Sequence, residues 1–206
     1  MRRPMGDTGA YIMVLTARHR EFVRVLDGAS PRGFNYRLPR RTLEMSAPAT
    51  VLNPYAKFLG DARPHDVLDM TPVTLSRLVH HSDTAKLTHA PAPGKWSIRD
   101  ILCHLADCEI AFGFRLRQTI AEKLHHIQPF DQEAWSSAYP KLDAHDALDT
   151  FASLRRWNML FIRAVGPAAE SKTVRHPERG DMTFRTIVET MAGHDINHLR
   201  QIENLV

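Results

Sequence analysis

A chain of 206 residues that is 43% hydrophobic and 24% charged has the makings of one globular domain with a tail, and no stretch approaches the roughly 20 uninterrupted apolar residues of a membrane-spanning helix. The net charge of +4 is unevenly placed: residues 1–44 carry nine arginines and no lysine against four acids, while the remainder holds 18 basic and 19 acidic side chains. A nucleic-acid reader carries its basic face on the folded domain, so neither nucleic acid nor a membrane is expected as a partner.

The first 45 residues differ from the rest. Ala10 to Ala17 is a short apolar run, but Asp7 precedes it, Arg18-His19-Arg20 follows, and the small-residue cleavage site of a signal peptide is missing. "GASPRGFNYRLPRR" (28–41) is loop-like. Residues 1–45 are therefore expected to be a disordered N-terminal extension, with Met45 reading as a natural start; a functional basic arm is the competing reading. Residues 46–206 are expected to be the folded domain.

From residue 66 on, helical periodicity dominates. "DVLDMTPVTLSRLVHHS" places Leu68, Leu75, Leu78 and Val79 near helical spacing, with Pro72 suited to an early turn or a break. "APAPGKW" (90–96) is too rich in proline and glycine for a helix. Ser97 and Asp100 then form a capping-box variant, opening a second helix along Ile98, Ile101, Leu102, Leu105, Phe112, Leu116 and Ile120. Residues 125–143 read as irregular, with a short helix around Glu133–Ala138. A third helix covers "AHDALDTFASLRRWNMLFIRAV", and 166–181 is a loop with room for a short hairpin. The fourth runs from about Thr183 to the end, along Phe184, Ile187, Val188, Met191, Leu199, Ile202 and Leu205. Four amphipathic helices predict an all-α four-helix bundle, its longer joints (125–143 and 166–181) acting as crossovers that roof one end. Cys103 and Cys108 lie about 140° apart on one helix, so no disulfide joins them. Free thiols without a leader point to a cytoplasmic protein.

The apolar stripe of the last helix passes from Ile187 and Met191 to His194 and His198 before reaching Ile202. The two imidazoles are about 40° apart around the axis and about 6 Å along it, close enough to share one metal ion. Two core histidines bonded to backbone or to Asp107 are the alternative. A third histidine, His104, lies mid-helix in line with Ile101, Cys108 and Ala111. Three inward histidines on two facing helices have the ligand count of a catalytic zinc-type site with an open position. Asp107 or Asp195 is expected to support at least one ring from behind. Of the other histidines, His176 in "HPERG" is the next candidate. His194-Asp195 does not fit the HD phosphohydrolases, because no aspartate follows it.

"GKWSIRDILCHLADCEIAFGFRLRQ", "QPFDQEAW" and "HPERGDMTFRTIVETMAGHDINHLRQIE" together resemble the DinB-like family of four-helix-bundle metal proteins, including its YfiT type, over about residues 53–204. The resemblance implies a divalent metal, commonly zinc or nickel, held by His104, His194 and His198. It also implies relatives that are bacillithiol- or mycothiol-dependent S-transferases and isomerases, or metal-dependent hydrolases.

Three neutral imidazoles leave the metal its full charge, so that a bound water becomes hydroxide near neutral pH or a bound thiol becomes thiolate. No zincin-type glutamate stands between the histidines of the last helix. Asp107, Asp195 and Gln201 are the candidate catalytic residues: Asp195 to orient a ligand or move a proton, Gln201 to touch substrate. Glu109 is expected to pair with an arginine such as Arg115, and Asp131 and Trp135 either line the pocket or serve as a cap and a packed aromatic. The first reading is a metal-dependent transferase joining a low-molecular-weight thiol to small electrophiles. The alternatives are a hydrolase using metal-bound hydroxide and a non-enzymatic metal-binding stress protein. The missing glutamate favours thiol over water. A small-molecule substrate is expected, and a homodimer is left open.

Overall fold

The structure, a computed structural model, describes residues 12–16, 19–23, 52–80 and 82–206. The chain divides into two compact units, residues 1–45 and 46–206. In the first unit two strands are described, β1 (Ile12–Thr16) and β2 (His19–Val23), paired antiparallel so that Val14 faces Glu21. The other expectations for residues 1–45 lie outside the described residues.

The second unit contains four long helices, α2 (Pro64–Val79), α4 (Ile98–Ala121), α6 (Ala144–Val165) and α7 (Phe184–Glu203). Short helices lie between or before them: α1 (Ala56–Leu59), α3 (Thr84–Thr88) and α5 (Gln132–Ser136). Helix starts follow the capping chemistry. Ser97 and Asp100 make a reciprocal capping box, as do Thr183 and Thr186, and Asp143 accepts the first amides of α6. The α6 helix stops at Gly166, whose φ of 69° suits a residue without Cβ.

Each long helix has two neighbours: α4 lies against α6 and α7, and α2 against α7 and α6. Two apolar clusters fill the two ends. One joins the end of α2 (Leu75, Val79) and of α7 (Ile202) to the starts of α4 (Ile98, Leu102) and α6 (Leu148, Phe151). The other joins the starts of α2 (Leu68) and α7 (Phe184, Ile187) to the ends of α4 (Leu116) and α6 (Ile162). The chain thus runs up, down, down, up. The connections 80–97 and 166–183 cross diagonals at the ends, and 122–143 returns along the length of the bundle, as parallel neighbours require. Fully burying a Val, Leu, Ile, Met or Phe contributes about 1.5–3 kcal/mol, and both clusters consist mainly of such residues.

Both long joints carry short strands: β3 (His125–His126) pairs parallel to β4 (Thr173–His176), which pairs antiparallel with β5 (Gly180–Thr183). Val174 and Met182 point into the core from this small sheet, which closes the end where α4 and α6 finish.

Pro72 departs from the expectation of a turn or break, for α2 runs straight through it. Proline has no amide to give to the carbonyl four residues earlier, which here is that of Leu68. The Arg155 guanidinium fills the gap, donating from Nη1 to the Leu68 oxygen at 3.0 Å. The helix survives because a neighbouring helix supplies the missing donor.

Candidate metal centre

A layer of polar side chains separates the two apolar clusters. On one side stand His104 from α4 and His194 and His198 from α7, all at most 5% exposed. The register of α7 puts His194 and His198 one turn apart on the inward stripe, and antiparallel α4 brings His104 opposite them. The three Nε2 atoms converge: His104 to His194 is 2.9 Å and His198 to His194 is 3.1 Å. The ligand atoms of all three lie within 4.8 Å of one another.

This cluster fits a metal ion. Nitrogens bound tetrahedrally at 2.0–2.1 Å lie about 3.3 Å apart, close to the separations found. The Nδ1–H of His198 donates to the Gln201 side-chain oxygen at 2.8 Å, which leaves the lone pair of His198 on Nε2, facing the cluster. Burial, then the neighbouring His198, lowers the pKa of His104 to about 3. Burial, with the other two rings and Arg155 adding to it, takes His194 well below the ordinary value. Burial lowers His198 too, opposed by Gln201 and Asp195. Neutral imidazoles are the form a metal needs.

Aromatic rings wall the cluster. Trp96 lies 4.9 Å from the His104 ring, and Tyr55 meets His194 edge-on at 5.1 Å. The Cys108 thiol sits 3.5 Å from His104 Nε2 and 3.9 Å from His194 Nε2. Burial, followed by the charge of Glu109, pushes its pKa up, so without a metal it stays a thiol. Neither cysteine forms a disulfide.

Behind the histidines lies an ionic group that sequence reasoning missed. Arg155, 2% exposed, donates to both oxygens of Asp195 at 2.6 and 3.0 Å and to Glu109 at 2.8 Å. Burial pulls the Arg155 pKa down, but the two carboxylates outweigh it and hold the guanidinium charged. Asn158 donates to Glu109 at 3.0 Å, and Arg117 donates to the Asn158 oxygen at 2.7 Å. The partner of Glu109 is thus Arg155 and not Arg115, whose Nη2 donates to the Gln128 carbonyl at 3.4 Å. A signal existed: Arg155 falls on the stripe Phe151, Asn158, Ile162, where an apolar residue belongs.

The carboxylate candidates are engaged elsewhere. Asp107 accepts the Tyr139 hydroxyl at 2.7 Å and Asp195 is held by Arg155. Among the described residues, no hydrogen bond links either carboxylate to an imidazole, and Gln201 does what was expected of them. The expectation failed at Asp107 because Tyr139, on a distant turn, is packed beside it, and at Asp195 because an arginine outcompetes a neutral ring. Asp131 caps α5, and Trp135 packs on Phe130 with centroids 4.6 Å apart. His176 lies apart from the cluster, its Nδ1 accepting the Glu178 amide at 3.2 Å.

A cleft of about 650 Å³ opens beside the histidines, bordered by His198, Gln201, Trp96, Ile101, Leu205 and Lys95. Among the described residues, no helix is long and apolar enough to cross a membrane.

Known proteins resemble this chain. The chain is 29% identical over 136 residues to a protein of Oceanobacillus iheyensis named "Putative metal-dependent hydrolase", covering 65% of this chain and 78% of that one. A protein of the same name from Bacillus mycoides is 28% identical over 137 residues, with the same coverage. Among solved structures, YfiT from Bacillus subtilis, described as a probable metal-dependent hydrolase with an unusual four-helix bundle topology, superposes with a TM-score of 0.64. It is 22% identical, over 69% of this chain and 83% of that one, a likeness of fold that includes the bundle derived above. The model of the DinB superfamily matches residues 68–202, a span that contains all three clustered histidines and all of the four long helices except the first turn of α2 and the last residue of α7, and the chain belongs to that superfamily.

Proposed function

We propose that His104, His194 and His198 hold one divalent ion of the zinc or nickel class, and that the protein is a metal-dependent hydrolase of a small molecule entering by the cleft beside His198. The observation that carries this reading is the convergence of three neutral Nε2 atoms in a buried layer that borders an open cleft. The names of the relatives from Oceanobacillus iheyensis and Bacillus mycoides support it. A divalent ion at such a site supplies Lewis acidity and makes a coordinated water or thiol nucleophilic at neutral pH. The chain's own residues do the rest. Gln201 keeps His198 in the tautomer that presents Nε2. Trp96 and Tyr55 hold the rings of His104 and His194 in place and limit water around them.

A second reading, a transferase with a low-molecular-weight thiol as cosubstrate, has one observation in its favour. Asp107 and Asp195 are both committed, to Tyr139 and Arg155, so neither is free to act as a base beside the imidazoles. Attack by a thiolate needs no such base.

The test is a paired screen of the zinc- and nickel-loaded protein. One arm offers small esters, amides and lactones; the other offers low-molecular-weight thiols with small electrophiles. Hydrolysis that disappears on chelation and returns with metal supports the first reading, and metal-dependent conjugation alone supports the second. Metal binding with neither reaction leaves a binding protein. His194→Ala is expected to lose the metal while keeping the helical circular dichroism of the wild type; a variant that retains wild-type metal content would overturn the ligand assignment.

A further inference from the structure

The cleft beside His198 has a lopsided chemistry. Its walls are apolar, with Trp96, Ile101 and Leu205, and its polar groups are mostly uncharged amides such as Gln201 and Asn204. Lys95 is the one lysine, arginine or carboxylate side chain along it. Among the described residues Lys95 forms no salt bridge. The turn that carries it is built, not loose: its amide donates to the Ala92 carbonyl at 3.0 Å, and Gly94 before it takes a φ of 73°. Trp96, the next residue, presses on the His104 ring, which fixes the backbone of the exposed Lys95 near the histidine layer. Asp131 and Glu133 line the adjoining hollow that Lys95 also borders, not the cleft itself. Apart from an ion at the histidines, this cation is the cleft's one charged contact, and among apolar walls and amides it reads one anionic group on an apolar body, since each buried polar group of the ligand must find a partner.

We infer that the cleft takes a small monoanion, an apolar aliphatic or aromatic body bearing a carboxylate, with the Lys95 ammonium on the carboxylate and the apolar body against Trp96, Ile101 and Leu205. This rests on the site proposed above for the chemistry performed, but the binding itself depends on side chains other than the histidines. It makes Lys95 a specificity-determining residue, and it narrows the substrate screen to esters or amides that also carry an acid.

The experiment measures binding of 3-phenylpropanoate and of its neutral isostere 3-phenylpropanamide by calorimetry and by ligand-observed NMR. The proteins are metal-loaded wild type, Lys95→Met and Lys95→Arg, with metal content determined in each. The wild type is expected to prefer the acid. Lys95→Met should weaken the acid about tenfold, the size of one charge-assisted contact in a partly open site, and leave the amide unchanged. Lys95→Arg should restore most of the preference. Equal binding of acid and amide by the wild type, including no measurable binding of either, overturns the inference. So does a Lys95→Met protein that binds the acid as before, for the carboxylate would then be held by the metal. A protein that takes up no metal yet shows the Lys95-dependent preference would sink the metal reading and leave this one standing.

Discussion

A β-carbon added at Gly193 would lie 2.5 Å from the Tyr55 carbonyl oxygen and 2.8 Å from the Tyr55 Cβ. The missing side chain therefore lets the chain before α1 lie directly on α7, one residue before a ligand, and sets Tyr55 edge-on to His194. Because the obstacle is backbone, Gly193→Ala is expected to destabilise by about 1–3 kcal/mol, as overpacking does, and to loosen metal retention by displacing Tyr55. Urea denaturation and metal analysis would show it; an unchanged midpoint would mean that the Tyr55 segment lifts away freely. At this scale the sequence was legible where a residue was out of place by type. The three histidines stand where leucines belong. Gly193 gave no such sign, because a glycine in a helix is silent until the segment packed against it is known.

At the level of elements, α2, α4, α6 and α7 are fastened through one guanidinium. Arg155 satisfies the Leu68 carbonyl that Pro72 leaves without a donor and neutralises carboxylates from α4 and α7. Arg155→Met would leave Glu109 and Asp195 buried without their cation, and a loss of about 3–5 kcal/mol is expected from breaking a buried pair on one side. A loss under about 1 kcal/mol by denaturant titration would mean that water reaches the carboxylates and does the work of the arginine. The hairpin of β4 and β5 carries a pH dependence. Burial, then the charges of Arg179 and Arg115, lowers the pKa of His176, and its Nδ1 must be unprotonated to accept the Glu178 amide. With the folded pKa below the unfolded one, the unfolded chain binds the proton first. The contribution is thus intact above the unfolded pKa of about 6.5 and lost as pH falls through the folded value. The urea midpoint should fall between pH 7 and pH 5, and fall less in His176→Gln. Equal slopes in the two proteins would remove His176 from the account.

For the whole molecule, the apolar clusters at the two ends of the bundle exist without any ion, whereas the histidine layer between them holds neutral nitrogens at close range. Chelation is therefore expected to leave the helical circular dichroism unchanged at room temperature and to lower the melting temperature. The size follows from mass action: free metal at about a thousand times its dissociation constant contributes about 4 kcal/mol. Loss of the helical signal at room temperature on chelation would make the ion a structural element, in the manner of a zinc finger.

Local chemistry was readable in the chain. Ser97, Asp143 and Thr183 mark helix starts by the oxygens they offer to free amides, and the 3.6-residue period shows which face of each long helix turns inward. The same period put His194 and His198 on one stripe and His104 on the stripe of Ile101 and Cys108 in its own helix, and the resemblance implies the same three. These properties depend on residues within a turn or two of each other, so the sequence by itself determines them. The up, down, down, up order, the passage of α2 through Pro72, and the partners of Asp107, Glu109 and Asp195 were decided by tertiary structure. The physical reason is distance along the chain. Arg155 lies 87 residues from the Leu68 carbonyl, 46 from Glu109 and 40 from Asp195, and which buried charge meets which is chosen only when the helices have packed.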